Sequence, residues 1–69
     1  MATTFIHEKP QVGQTYVWES EIPKTFTIVE FDHQASHIWI FKALNHDTNV
    51  IEEVGFRKRD RYNGWKLVA

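Results

Sequence analysis

Short apolar stretches recur along the chain about every ten residues, each closed by a polar or turn-forming break. The clearest are TFTIVEFD (25–32) and HIWIFKAL (37–44). Six of the eight residues of the first are β-branched or aromatic, the composition of a strand. In the second, Ile38 and Ile40 share one parity while Trp39 and Phe41 share the other. Apolar residues on both parities mark a strand that is central in a curled sheet or carries a binding surface. A weaker strand is expected over 14–18, where Gly13 precedes the strand formers Tyr16, Val17 and Trp18. The closing segment WKLV (65–68) completes the set. Between these, ESEIPK reads as a loop or ragged edge because Pro23 cannot donate to a ladder. HQAS reads as a hairpin turn and NHDTN as a second turn rich in residues that tolerate left-handed backbone. Asn63-Gly64, in RYNG, is a strong short hairpin signal.

VIEEVGFRKR (50–59) is ambiguous. Helix is the rival reading, with Asn49 as N-cap and Glu52 at the third position. Gly55 and the valines weigh against it. Strand is preferred, with Gly55 marking a bend or bulge. Five short strands without a helix predict an all-β domain over 13–69 after a polar lead-in, 1–12, in which Pro10 ends any element. A chain of 69 residues has too little material for two full sheets. A five-stranded SH3-like barrel or strongly bent antiparallel meander is the economical solution.

Composition explains how so short a chain holds a core. It carries ten aromatic residues and no cysteine, so rings rather than disulfides must supply the stability. No apolar run approaches the ~20 residues that span a bilayer. The start lacks a signal-peptide pattern, and a cytoplasmic location is expected. The formal net charge is −1 but unevenly placed. Residues 1–56 hold three Lys/Arg against eight Asp/Glu, a balance of −5, and residues 57–69 hold five against one, a balance of +4.

VGQTYVW, TFTIVEF, HIWIFKAL, VIEEVGF and GWKLV together resemble the pattern of SH3-like small β-barrels, including Tudor-like and KOW-like modules, over residues 12–68. The resemblance implies a barrel that works by binding. In size, aromatic content and lack of cysteine the chain is also similar to accessory proteins of bacteriophages and mobile elements. That likeness implies inhibition of a host or defence protein.

Catalytic chemistry finds little in these residues. Ser20 and Ser36 sit in no nucleophile elbow, and the three glycines form no phosphate loop. The acid pairs Glu19/Glu21, Glu30/Asp32 and Glu52/Glu53 read as solvated charges, and no enzyme activity is expected. His7, His33, His37 and His46 read as exposed turn histidines without metal-ligand spacing, so neither metal nor cofactor is expected. Tyr16, Trp18, Trp39 and Trp65 are candidates for a methyl-lysine cage, though core filling explains them better.

Two features carry the functional expectation. If Ile38 and Ile40 fill the core, Trp39 and Phe41 lie outside it as an aromatic face. In a strand Arg57, Arg59 and Arg61 project to one side, and with Lys58 and Tyr62 they form a basic rim. The expected function is a non-catalytic module binding a protein partner through Trp39, Phe41, Arg57, Lys58, Arg59, Arg61 and Tyr62. Nucleic acid held by the same basic stretch is the first alternative. A structural homodimer, pairing edge strands or aromatic patches, is the second.

Overall fold

The computed structural model describes residues 9–57 and 64–69, and among them every regular element is a strand. The strands are β1 (Thr15–Trp18), β2 (Lys24–Ala35), β3 (Ile38–Asn45), β4 (Val50–Arg57) and β5 (Trp65–Leu67). They form one open antiparallel sheet in the order β4-β3-β2-β1-β5. The fold is therefore all-β, as its pattern predicts, and 50–57 is strand rather than helix.

The bend expected at Gly55 lies elsewhere. The β3–β4 register runs without a shift from Ile38↔Arg57 to Asn45↔Val50, through Ile40↔Gly55. The irregularities fall in the long β2, between Ile28 and Glu30 and between Phe31 and His33. Extra residues there increase the local twist and let one strand serve both halves of the sheet. HQAS is likewise mostly strand. β2 runs to Ala35, which pairs Ile38, so the loop is Ser36 and His37 alone, with Ser36 at φ 48°. Nor do β4 and β5 form a ladder as successive hairpin strands. β5 crosses to pair β1, as in Trp18↔Trp65 and Tyr16↔Leu67.

The core occupies the concave face. Tyr16, Phe26, Ile28, Phe41, Ala43, Val54, Phe56 and Trp65 are buried there, with Trp39 and Leu67 packed against them. Rings dominate. Trp65 stacks on Phe56 with centroids 4.5 Å apart, and Phe56 meets Tyr16 edge-on at 5.0 Å and Phe41 at 5.7 Å. Each such pair contributes about 0.5–1.5 kcal/mol beyond the area it buries. The same stack draws the two edges of the sheet together, because Trp65 belongs to β5 and Phe56 to β4. Trp65 Nε1–H completes the approach by donating to the Gly55 carbonyl at 2.9 Å.

Asn45 is the buried polar side chain of the core, 4% exposed. Its Oδ1 accepts the backbone N–H of Asp47 at 2.8 Å and of Thr48 at 3.4 Å, and its Nδ2 donates to Glu52 at 3.1 Å. The Asn49 N–H bonds the Asn45 carbonyl at 2.7 Å, and Asn49 takes φ 61°. One residue thus organises the whole β3–β4 turn. Asn45→Ala is expected to cost about 1–3 kcal/mol, because three part-buried hydrogen bonds that close the turn are lost together. Urea denaturation of the two proteins measures the difference.

Candidate functional site

The β3 faces are the reverse of the sequence expectation. Phe41 is 1% exposed and belongs to the core, so it is unavailable to a partner. Trp39 is half-buried and packs on the same cluster. Ile38 and Ile40 face outward with Lys42 and lie over Gly55, where an added Cβ would meet Ile38 Cγ2 at 3.1 Å. The physical reason is the register. Trp39 and Phe41 stand opposite Phe56 and Val54, whereas Ile38 and Ile40 stand opposite Arg57 and Gly55. A strand row holding a guanidinium and a bare glycine cannot close a core, so its partners on β3 lie on the outer face with it, half-buried over Gly55.

The methyl-lysine cage is also overturned. Tyr16 and Trp65 are buried, and the Tyr16 hydroxyl donates to Gln14 Oε1 at 2.8 Å. Of the basic rim, Arg57 lies exposed on the convex face of β4. Lys58, Arg59, Arg61 and Tyr62 lie outside the described residues.

The indole that the fold presents is Trp18, 38% exposed at the end of β1. Its ring meets Trp65 edge-on at 5.0 Å. It also lies so close over Gly64 that a Cβ there would stand 2.8 Å from Trp18 Cζ3. Gly64 sits at φ 90°, and its carbonyl accepts the Glu19 N–H at 2.7 Å. Beside it, Lys66 Nζ holds Glu19 Oε2 at 2.8 Å. Trp18 pairs Lys24 across the 19–23 loop, which presents Ile22 at 73% exposure. The result is an aromatic plate braced from below, with an isoleucine in the adjoining loop. Burial of large apolar groups that are already held in place gains affinity at little ordering cost.

Sequence position ties this plate to the basic stretch. Arg57 is two residues beyond Gly55, whose carbonyl the Trp65 indole reaches, and the stretch ends just before Gly64, on which Trp18 lies. The strand-forming context of Trp18 concealed it, because alternation places it in phase with the core residue Tyr16. The adjoining loop, with Pro23 and no apolar neighbour besides Ile22, is the signal that this end of the strand leaves the core.

A second exposed ring, Phe31, is covered differently. It packs edge-on against Phe41 at 5.2 Å, and Lys9 Nζ stands 3.6 Å above its centroid. That cation–π contact occupies the face a ligand would use.

Titratable groups are dispersed. His33 Nδ1 contacts Asp32 at 3.1 Å, His46 Nε2 bonds Thr27 Oγ1 at 2.7 Å, and Lys42 is 3.9 Å from Glu30. Among the described residues no group of three or more His, Asp or Glu could hold a metal ion, and no helix is long and apolar enough to cross a membrane. No protein-family model, curated protein or solved structure matches the chain.

Proposed function

We propose that this protein is a non-catalytic binding module on an SH3-like scaffold, and that it engages a protein partner. The observation that carries the reading is the exposed Trp18 indole, braced on Gly64 and Trp65 and flanked by Ile22. A rigid, partly exposed tryptophan beside an exposed aliphatic is the composition of an interface anchor. The cationic stretch beginning at Arg57 steers an acidic partner toward it. The scaffold assignment draws on the four-strand meander with β5 returned beside β1 and on the bulged, shared β2. If the likeness to phage and mobile-element accessory proteins extends to role, the partner is a host or defence protein that the module inhibits.

Nucleic acid is the second reading, because an exposed indole near cations also serves as a base-stacking plate. Capture with immobilised protein, with and without nuclease, separates the two. The expected result is a protein partner retained after nuclease. Trp18→Ala is expected to weaken its binding about thirtyfold or more, the loss of an anchor worth about 2 kcal/mol. Capture that vanishes with nuclease, or that Trp18→Ala leaves intact, refutes the protein reading.

A further inference from the structure

The loop that joins β1 to β2 is held from several sides. Glu19 is fixed at both ends: its N–H donates to the Gly64 carbonyl at 2.7 Å, and its Oε2 meets Lys66 Nζ at 2.8 Å. The Ser20 hydroxyl then donates to the Ile22 carbonyl at 2.7 Å. Ile22 therefore stands at 73% exposure on a backbone that is already turned. The register sets the next neighbour. Trp18 lies directly opposite Lys24 on β2 and opposite Trp65 on β5, and residues opposite each other share a face. One row across this end of the sheet is thus Trp65, Trp18 and Lys24. The indole leans on the β5 side of that row, against Trp65 and Gly64, and Lys24 flanks it on the other side. Lys24 is exposed, and no carboxylate among the described residues pairs with it.

Charge then selects the chemistry of what this surface takes. Trp18 and Ile22 offer apolar contact, and Lys24 offers one cation beside it. A nucleic-acid strand carries a charge at every nucleotide. Glu19 and Glu21 in the same loop oppose the charges that flank the one at Lys24. A peptide presents a single carboxylate without others beside it. Cross-strand neighbours have Cβ atoms about 4.5–5.5 Å apart, and the lysine stem adds its own reach. In an extended peptide, side chains two residues apart lie on one side about 6.6–7 Å from each other. That spacing matches the step from the indole to the Lys24 ammonium.

We infer that the Trp18 plate takes an extended peptide segment in which a large apolar side chain and an aspartate or glutamate lie two residues apart. The apolar group rests on Trp18 beside Ile22, and the carboxylate meets Lys24. This rests on the binding role given to Trp18 and adds the local chemistry of the partner to it. The apolar contact supplies most of the affinity, and the ion pair selects among apolar segments.

A phage-displayed library of short random peptides, panned on the immobilised full chain, is the probe. The expected result is enrichment of a large apolar residue with an Asp or Glu two positions away. An enriched peptide, remade by synthesis and followed by fluorescence anisotropy, binds about threefold less tightly when its acid is replaced by the amide, in the range of an exposed ion pair. On Lys24→Met that difference disappears while the apolar preference stays. On Trp18→Ala the peptide loses affinity with or without its acid. Circular dichroism of each variant establishes that it is folded. Enrichment of apolar residues with no acid at a fixed spacing, or an amide penalty that persists in Lys24→Met, overturns the inference and leaves the Trp18 reading standing. Enriched peptides indifferent to Trp18→Ala overturn both. A library that enriches nothing over the bare support overturns the inference, and a thymidine oligonucleotide that binds the wild type but not Trp18→Ala then assigns the plate to nucleic acid.

Discussion

Phe56→Ala is expected to remove about 3–5 kcal/mol of folding stability. Phe56 is fully buried, at 0% exposure, and with Trp65 it is one of the two rings through which the core is connected. Tyr16 packs on it from β1, Phe41 from β3 and Trp65 from β5. Its loss removes three aromatic contacts at once and opens a cavity that neighbouring strands cannot fill without abandoning their register. Phe-to-Ala changes in cores cost about 3–5 kcal/mol. A domain of this length has a total stability of about 3–10 kcal/mol at the usual value per residue. The substitution therefore removes at least about a third of what is available, and all of it at the low end of that range. Urea denaturation followed by circular dichroism reads the effect. A cooperative transition with a midpoint within about 0.5 M of wild type, equivalent to about 1 kcal/mol or less at a slope of 1–2 kcal/mol per M, would show that Phe56 is not the hub described. Phe31→Ala supplies the contrast, because that ring is part-exposed and, among the described residues, meets the core rings at Phe41.

The hub also shows what could be read from the residues and what could not. The five strands were legible because period-two alternation and turn residues act locally, and each segment carries both signals. The boundary between β2 and its turn was not, because Gln34 and Ala35 are weak strand formers held in place by pairing with Trp39 and Ile38. The facing of β3 differs from the expectation although a signal exists in the residues. Lys42 shares parity with Ile38 and Ile40, and a lysine rarely shares a core face. Two large aromatics on the opposite parity outweigh two isoleucines when one side must close the core. Gly55 suggested a bulge because glycine permits one, but permission is not cause. The bulges of β2 fall among Val29, Glu30 and Asp32, where only the curvature of the finished sheet demands them. The placement of β5 beside β1 rather than β4 was likewise invisible, since a short strand pairs wherever its core residue, Trp65, finds the most rings. The candidate site suffered from the same non-locality. Trp18 and Gly64 are far apart in sequence, and only the crossing of β5 brings one onto the other.

That juxtaposition makes Gly64 the most informative single position in the proposed binding surface. Gly64→Val is expected to destabilise the fold and to dislodge Trp18 together. Gly64 holds φ 90°, a conformation that a β-branched residue adopts only under strain, at a cost of about 1–3 kcal/mol. The new Cβ would lie 2.8 Å from Trp18 Cζ3 and 2.9 Å from Cη2. The indole cannot yield inward, because Trp65 stands behind it at 5.0 Å. It must swing outward, or the 64–65 backbone must shift and release the Glu19 N–H from the Gly64 carbonyl. Overpacking of this kind adds about 1–3 kcal/mol. Two readouts follow from one variant: a lower denaturation midpoint, and tryptophan fluorescence shifted toward the value of an indole in water. Trp18→Ala separates them. Placed in the Gly64→Val background, it removes the overlap but leaves the backbone strain, so it should cost less stability there than in wild type, where it only loses the packing on Trp65. If Trp18→Ala costs as much in the Gly64→Val background as in wild type, the valine acts through φ only, and the close seat of Trp18 on Gly64 is not what holds the indole. Partner capture by Gly64→Val then decides the functional point. A folded variant with a displaced indole that still binds as tightly as wild type would mean that the partner does not read the braced Trp18 plate.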